Sequence, residues 1–227
     1  MIGAMSEEPT LAPSLLLSMP QLDDPNFSRS VVLLCQHDTD GAFGLVLNRP
    51  VTTTARIVPQ DDPEAATEQE VEVWIGGPVE PERSWILIHD ASLDERAVRV
   101  CDGVYLSTSA RVLQSVIAAP DQSRARLIAG YAGWGPGQLD EEVAASAWLT
   151  ADIALDLVFE TPADEMWEAA IRRLVGTLLL EQNDDWACSR RYMSLERSKD
   201  LAMIMRPERA ASQHAIEARP LIALWRR

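Results

Sequence analysis

From Ser14 to Ser109 the chain is a series of short apolar runs interrupted by Pro, Gly and Asp, the pattern of strands joined by tight turns. SLLLS at 14–18 reads as a strand stopped by Pro20, and QLDDPNF turns around Pro25. SVVLLCQHD at 30–38 and AFGLVLN at 42–48, joined by Thr39–Gly41, predict a hairpin. Gly44 inside its second arm predicts a bulge or a close backbone contact. Over 51–70 the alternation fades and acids gather, which reads as a solvated loop with a brief helix. Strands resume at 71–77, 84–90 and, as a pair around Asp102-Gly103, at 97–109.

Helical spacing takes over next. Val112, Leu113, Val116 and Ile117 share one face of a helix ended by Pro120. ARLIAGYAGW at 125–134 is a buried strand, and 138–148 an amphipathic helix carrying Leu139, Val143, Ala147 and Trp148. ALDLVFET at 154–161 reads as a further strand. Pro162, with Asp164 and Glu165 in the following turn, opens a last helix.

Composition narrows the class. A chain of 227 residues with 47% hydrophobic and 24% charged residues can bury its own core and is not a disordered chain. Its net charge of −15 opposes phosphate backbones, so direct DNA binding is not expected. The longest apolar runs fall far short of the roughly 20 residues of a membrane span, so no membrane contact is expected. MIGAMSEEPT lacks the basic and apolar regions of a signal peptide, and three scattered cysteines (Cys35, Cys101, Cys188) make no disulfide framework. Both point to the cytoplasm. Residues 1–13 read as a flexible lead-in and 14–175 as a single domain. Residues 176–227 carry seven acids against nine bases, a net +2 in an acidic chain, and read as an atypical, at most partly ordered extension. A read-through or frame-shifted coding segment and a lineage-specific extension would each produce that step; the former is preferred.

Residues able to carry chemistry are few. Cys35 and His37, two apart on one strand, are expected to face the same way, but adjacent strand positions rarely give nucleophile–base geometry. They read as core packing and a strand end. No CxxC or HxxxH spacing supports a metal site, and neither a phosphate loop nor a GxSxG elbow is present, so no metal, cofactor or catalytic residue is assigned. Asp24, in the polar stretch Asp23–Ser30, reads as a local cap or as part of a binding rim. Asn48 and Arg49 end the hairpin, where Arg49 suits an ion pair or a bound carboxylate or phosphate. Gly76 and Gly77 suit a tight turn or an anion's approach, with Arg83 just beyond. Trp134 lies in the glycine-rich loop GYAGWGPGQL before an acid-rich helix start.

The blocks MPQLDDPNFSRSVVLLCQHDTDGAFGLVLNRP (19–50), GGPVEPERSWILIH (76–89), LIAGYAGWGPGQLDEE (127–142) and AWLT (147–150) resemble, in order and spacing, the AlgH/YqgE family of bacterial cytosolic proteins. The resemblance covers about 14–175. It implies a single α+β domain with a mixed, largely antiparallel sheet curling towards a barrel, flanked by helices. It also implies a role in regulating gene expression, without an established reaction or cofactor. The expected function is therefore non-enzymatic, through an unidentified protein partner. The alternative is a small-ligand site or enzyme pocket formed where His37, Asn48, Arg49, Arg83 and the GYAGW loop converge.

Overall fold

Among the described residues, ten strands and four helices are set by how the apolar positions alternate. The computed structural model describes residues 10–22, 24–57, 67–118 and 124–181. In chain order these are β1 (Ser14–Ser18), β2 (Val31–Asp38), β3 (Gly41–Val46), β4 (Pro50–Ile57), β5 (Thr67–Ile75), β6 (Val79–Ile88), β7 (Val98–Cys101) and β8 (Val104–Ser107). Helix α1 (Ala110–Ala118), β9 (Ala125–Trp134), α2 (Gln138–Ala144), β10 (Trp148–Ala151), α3 (Leu155–Phe159) and α4 (Ala163–Glu181) follow.

The main path of the sheet runs β10-β1-β2-β3-β9-β6-β8-β7, and β4 and β5 branch from it at β9. Among the described residues, every pairing is antiparallel except β5 with β9. The fold is thus α+β with a mixed, largely antiparallel sheet that stays open, β10 and β7 ending its main path. The long strand β9 joins its two halves, pairing with β3 near Trp134 and with β5 and β6 nearer its start.

Alternation along each strand divides the side chains between faces. Leu15, Leu17, Leu33 and Leu45 of the first half meet Leu87, Leu106 and Ile128 of the second in an inner core completed by α3 and α4. On the other face of the first half, Leu16, Val32, Leu34 and Val46 pack with Leu139 of α2 and the indoles of Trp134 and Trp148. On the far side of the second half, Ile86 and Ile88 pack with Val112 and Val116 of α1. These side chains are almost wholly removed from water, and each such burial contributes roughly 1.5–3 kcal/mol.

Three expectations are corrected. Within the stretch at 51–70, residues 51–57 and 67–70 are sheet: β4 pairs with β5 in register from Pro50↔Trp74 to Ile57↔Thr67, and 58–66 lie outside the described residues. The acids Glu68 and Glu70 belong to a ribbon whose outer positions meet water. Residues 154–161 hold a helix, α3, that buries Leu157 and Val158. The run Leu-Asp-Leu-Val-Phe satisfies both a strand and a helical period, and packing against α4 decides it. The second amphipathic helix stops at Ala144, and Trp148–Ala151 becomes β10 on the free side of β1. Of the lead-in expected at 1–13, residues 1–9 lie outside the described residues, as do residues 182–227 of the extension expected at 176–227; α4 itself continues through Glu181.

Candidate functional site

Asp24, Asn48 and Arg49 gather around the turn between β1 and β2. Asp24 Oδ1 accepts the Asn26 N–H at 2.8 Å, and its backbone carbonyl accepts those of Phe27 and Ser28. This is an Asx-type cap. Asn48 Oδ1 accepts the Val31 N–H at 3.0 Å while its Nδ2 donates to the Arg29 carbonyl at 2.8 Å. Arg49 Nη2 donates to the Ser28 carbonyl at 2.6 Å. An ion pair was the ordinary expectation for Arg49; a backbone carbonyl takes that place because the turn lies directly beside it. Partial burial pushes the Arg49 pKa down, and its buried Nε has no partner among the described residues. Arg29, at φ +50°, reaches from the same turn to Glu168 at 2.6 Å and lies 4.6 Å over the Trp167 ring. The turn is thereby fastened to the connection between β3 and β4 on one side and to α4 on the other.

Gly76 and Gly77 sit where β5 leaves the sheet. The Gly76 N–H donates to the Ala129 carbonyl at 2.7 Å, and the Gly76 carbonyl accepts the Val46 N–H at 2.8 Å. The Gly76 amide is thus engaged within the sheet. Gly77 has φ +150°, and a Cβ there would collide with the Tyr131 backbone. Both glycines allow backbone to cross backbone. Arg83 lies in the irregular stretch of β6 between Val79 and Ser84, paired with Glu80 at 3.1 Å and lying 4.5 Å over the Trp85 ring. Trp85 in turn packs on Phe43 and Tyr131, with its indole N–H buried and without a partner among the described residues.

His37 and Trp134 lie on the α2 side of the first half-sheet. His37 Nδ1 accepts the Leu11 N–H at 3.1 Å, and Nε2 lies 3.2 Å from Asp140 Oδ2. The Glu142 carboxylate accepts both the Trp134 indole N–H at 3.0 Å and the Trp148 indole N–H at 2.7 Å. Phe27 packs against both indoles, which couples the first turn to this cluster. The eight expected residues are therefore divided among three places. Asp24, Asn48 and Arg49 share one, Gly76, Gly77 and Arg83 lie along β5, β6 and β9, and His37 and Trp134 flank α2.

One concavity has no expected residue in its wall. It encloses about 350 Å³ between β5, the start of β9 and the end of α1. β5 and β9 pair only at Trp74↔Ile128 and Ile75↔Ala129 and diverge beyond. Glu70, Glu72 and Trp74 line one side, Leu127 the other, and Val116 and Ile117 the end. The Trp74 indole N–H is buried without a partner among the described residues, and the Arg126 guanidinium lies 4.9 Å over its ring. The cleft was missed because 51–70 read as loop. The alternation Glu68-Gln69-Glu70-Val71-Glu72-Val73 and the β-branched run Thr52–Thr54 were the available signals. Among the described residues no three His, Cys, Asp or Glu side chains are grouped to hold a metal, and no helix is long and apolar enough to cross a membrane.

Comparison with known proteins adds relatives. A family described as AlgH-like matches residues 15–179. A UPF0301 protein of Anaeromyxobacter sp. (strain Fw109-5) is 41% identical over 175 residues, spanning 72% of this chain and 88% of that protein. A UPF0301 protein of Xanthomonas campestris pv. campestris (strain B100) is 40% identical over 174 residues, spanning 75% of this chain and 93% of its own. The solution structure of the AlgH protein from Pseudomonas aeruginosa superposes with a TM-score of 0.59 at 28% identity, covering 81% of this chain and 98% of that one.

Proposed function

Because the chain belongs to the AlgH-like family, we propose that it acts in the cytoplasm as a non-enzymatic regulator of gene expression, by binding a protein partner. The observation that carries this reading is where the reactive groups are spent. Asn48 and Arg49 hold the backbone of one turn, His37 holds Leu11, and Glu142 holds two indoles. Side chains committed in this way define a surface more readily than they perform bond chemistry. The surface they support belongs to a chain of net charge −15, which favours a basic protein partner and opposes DNA.

The test is reciprocal affinity capture with the full chain as bait, at low salt and again at about 0.3 M, where exposed charge contacts are screened. A partner retained in both directions and weakened by salt is expected. Alongside it, no DNA should be retained at about 0.15 M salt, where specific DNA binders reach roughly nanomolar affinity. The small-ligand alternative makes a different forecast: a metabolite that raises the melting temperature in proportion to its concentration, lost on replacing Arg49 or His37. That result, without a reciprocal partner, overturns the partner-binding reading.

A further inference from the structure

We propose that the notch between β5 and β9 accepts an extended segment of the partner as an added strand, with apolar and basic side chains alternating along it. This rests on the partner-binding reading and names the chemistry of the partner.

The backbone directions are fixed by neighbouring bonds. Ile75 N–H donates to the Arg49 carbonyl and Gly76 N–H to the Ala129 carbonyl, so odd residues of β5 face β4 and even residues face β9. The peptide groups of Glu70 and Glu72 are therefore directed at the notch, past the last β5–β9 pair at Trp74↔Ile128. On the opposite wall, His89 N–H donates to the Arg124 carbonyl, so even residues at the start of β9 face β6. Ala125 and Leu127 then face β5. Two strand edges thus look at each other across a cleft of about 350 Å³, with no pairing between them among the described residues. An extended chain placed there satisfies both edges, which is the basis of strand addition.

Side-chain alternation then sets the sequence of the guest. On one face of the notch lie Val71, Val116, Ile117 and Leu127, which suit apolar side chains. On the other face Glu70 and Glu72 stand two positions apart, which suits basic ones. Arg126 lies near enough to Glu72 to interact with it, but its donors already go to the Leu47 and Thr161 carbonyls. It leaves Glu70 to lead the recognition. The half-buried Trp74 at the apex, where the two strands first meet, supplies a spectroscopic reporter.

The experiment titrates fluorescein-labelled peptides into the full chain and reads anisotropy. One peptide alternates Val and Lys, a second carries the same residues in two blocks, and a third replaces alternate Val by Pro, which removes N–H donors. The alternating peptide should bind, and the other two should bind at least about tenfold more weakly. Glu70→Lys with Glu72→Lys should weaken the alternating peptide by about tenfold or more. Glu70→Gln with Glu72→Gln should weaken it less, with melting temperature unchanged as the control for folding. Equal binding of alternating and block peptides, unaltered binding by the charge-reversed chain, or a second copy of the chain occupying the notch in sedimentation would overturn the proposal. If the charge-reversed chain still captures the same reciprocal partner, the notch is refuted while partner binding stands.

Discussion

Cys35 and His37, two positions apart on β2, serve opposite faces of the same sheet. The β2–β3 register shifts between Leu34 and Gln36, so Cys35 packs against the inner core while His37 pairs with Ala42 and reaches α2. The extra residue of a bulge reverses the alternation that spacing alone implies. It corrects the expectation that the two side chains face the same way, and it separates thiol from imidazole.

Cys35 should behave as an inert thiol. Burial, reinforced by nearby Cys101, pushes its pKa up to about 12 from 9.0, whereas the less enclosed Cys101 is raised mainly by desolvation. At pH 8 iodoacetamide should modify Cys101 well before Cys35, with Cys35 labelled only in denaturant, as read by peptide mass spectrometry in a Cys188→Ser background. The linkage has a definite sign. Between pH 9 and about 12 the folded thiol keeps a proton that the unfolded thiol has lost, so this contribution to stability is complete below pH 9 and fades as pH rises. Cys35→Val should flatten that alkaline decline. Labelling of native Cys35 as fast as Cys101 contradicts the assignment.

Two glycines with left-handed backbone should respond very differently to alanine. At Gly77 the new Cβ would strike the Tyr131 backbone, which cannot move without breaking the β6–β9 pairing; at Gly137, φ +72°, it would meet nothing within 4 Å. Gly137→Ala should therefore cost about 1 kcal/mol from backbone strain alone. Gly77→Ala should lower stability by several times as much, roughly 3 kcal/mol or more, or prevent folding. Urea denaturation of both variants gives the comparison, and similar midpoints would refute the steric account.

How far the chain could be read from its residues follows from what each signal depends on. The 31–46 hairpin was legible because Asp40-Gly41 and its apolar arms act locally, and Gly44 was rightly suspected, since a Cβ there would lie 2.8 Å from Val32 Cγ1. β4 and residues 67–70 of β5 were not, because a ribbon with one wet edge carries the polar composition of a loop, whereas 71–75 of β5 was read as strand. Asn48, Arg49 and His37 could be singled out as chemistry. Their partners, the Ser28 and Arg29 carbonyls and the Leu11 amide, lie 19 to 26 residues away in sequence and meet them only through sheet topology. Long-range pairing also hid the cleft, which exists only because β5 joins β9 for two residues and then leaves it.

Glu142 should act as a structural clasp. Its carboxylate takes two indole N–H groups and the Gln138 amide, and both Trp134 and Trp148 are nearly buried. Glu142→Ala leaves both indole donors without that acceptor and should cost about 2–3 kcal/mol; Glu142→Gln retains one carbonyl acceptor and should cost about 1 kcal/mol. Tryptophan emission of the alanine variant should move to the red as water reaches the indoles. An alanine variant with unchanged melting temperature and emission would show that the clasp contributes nothing.

Arg126 is the deepest cation among the described residues, at 6% exposure, and no carboxylate forms a salt bridge with it. Desolvation pulls its pKa down to about 10, opposed by Glu72, so it remains charged at neutral pH. What offsets that burial is geometric: Nη1 donates to the Leu47 carbonyl at 2.7 Å, Nη2 to the Thr161 carbonyl at 3.4 Å, and the guanidinium plane covers Trp74. The side chain thereby ties the end of β3 to the segment between α3 and α4. Arg126→Leu fills part of the volume but strands the buried Leu47 carbonyl, and should lower stability by about 2–4 kcal/mol. Arg126→Lys keeps the charge but replaces the planar two-pronged donor by a point charge, and should fall between leucine and wild type. Thermal melts in the order wild type, lysine, leucine are expected. A leucine variant as stable as wild type would mean that desolvating the cation costs as much as its two hydrogen bonds return, and the tie would have no net worth.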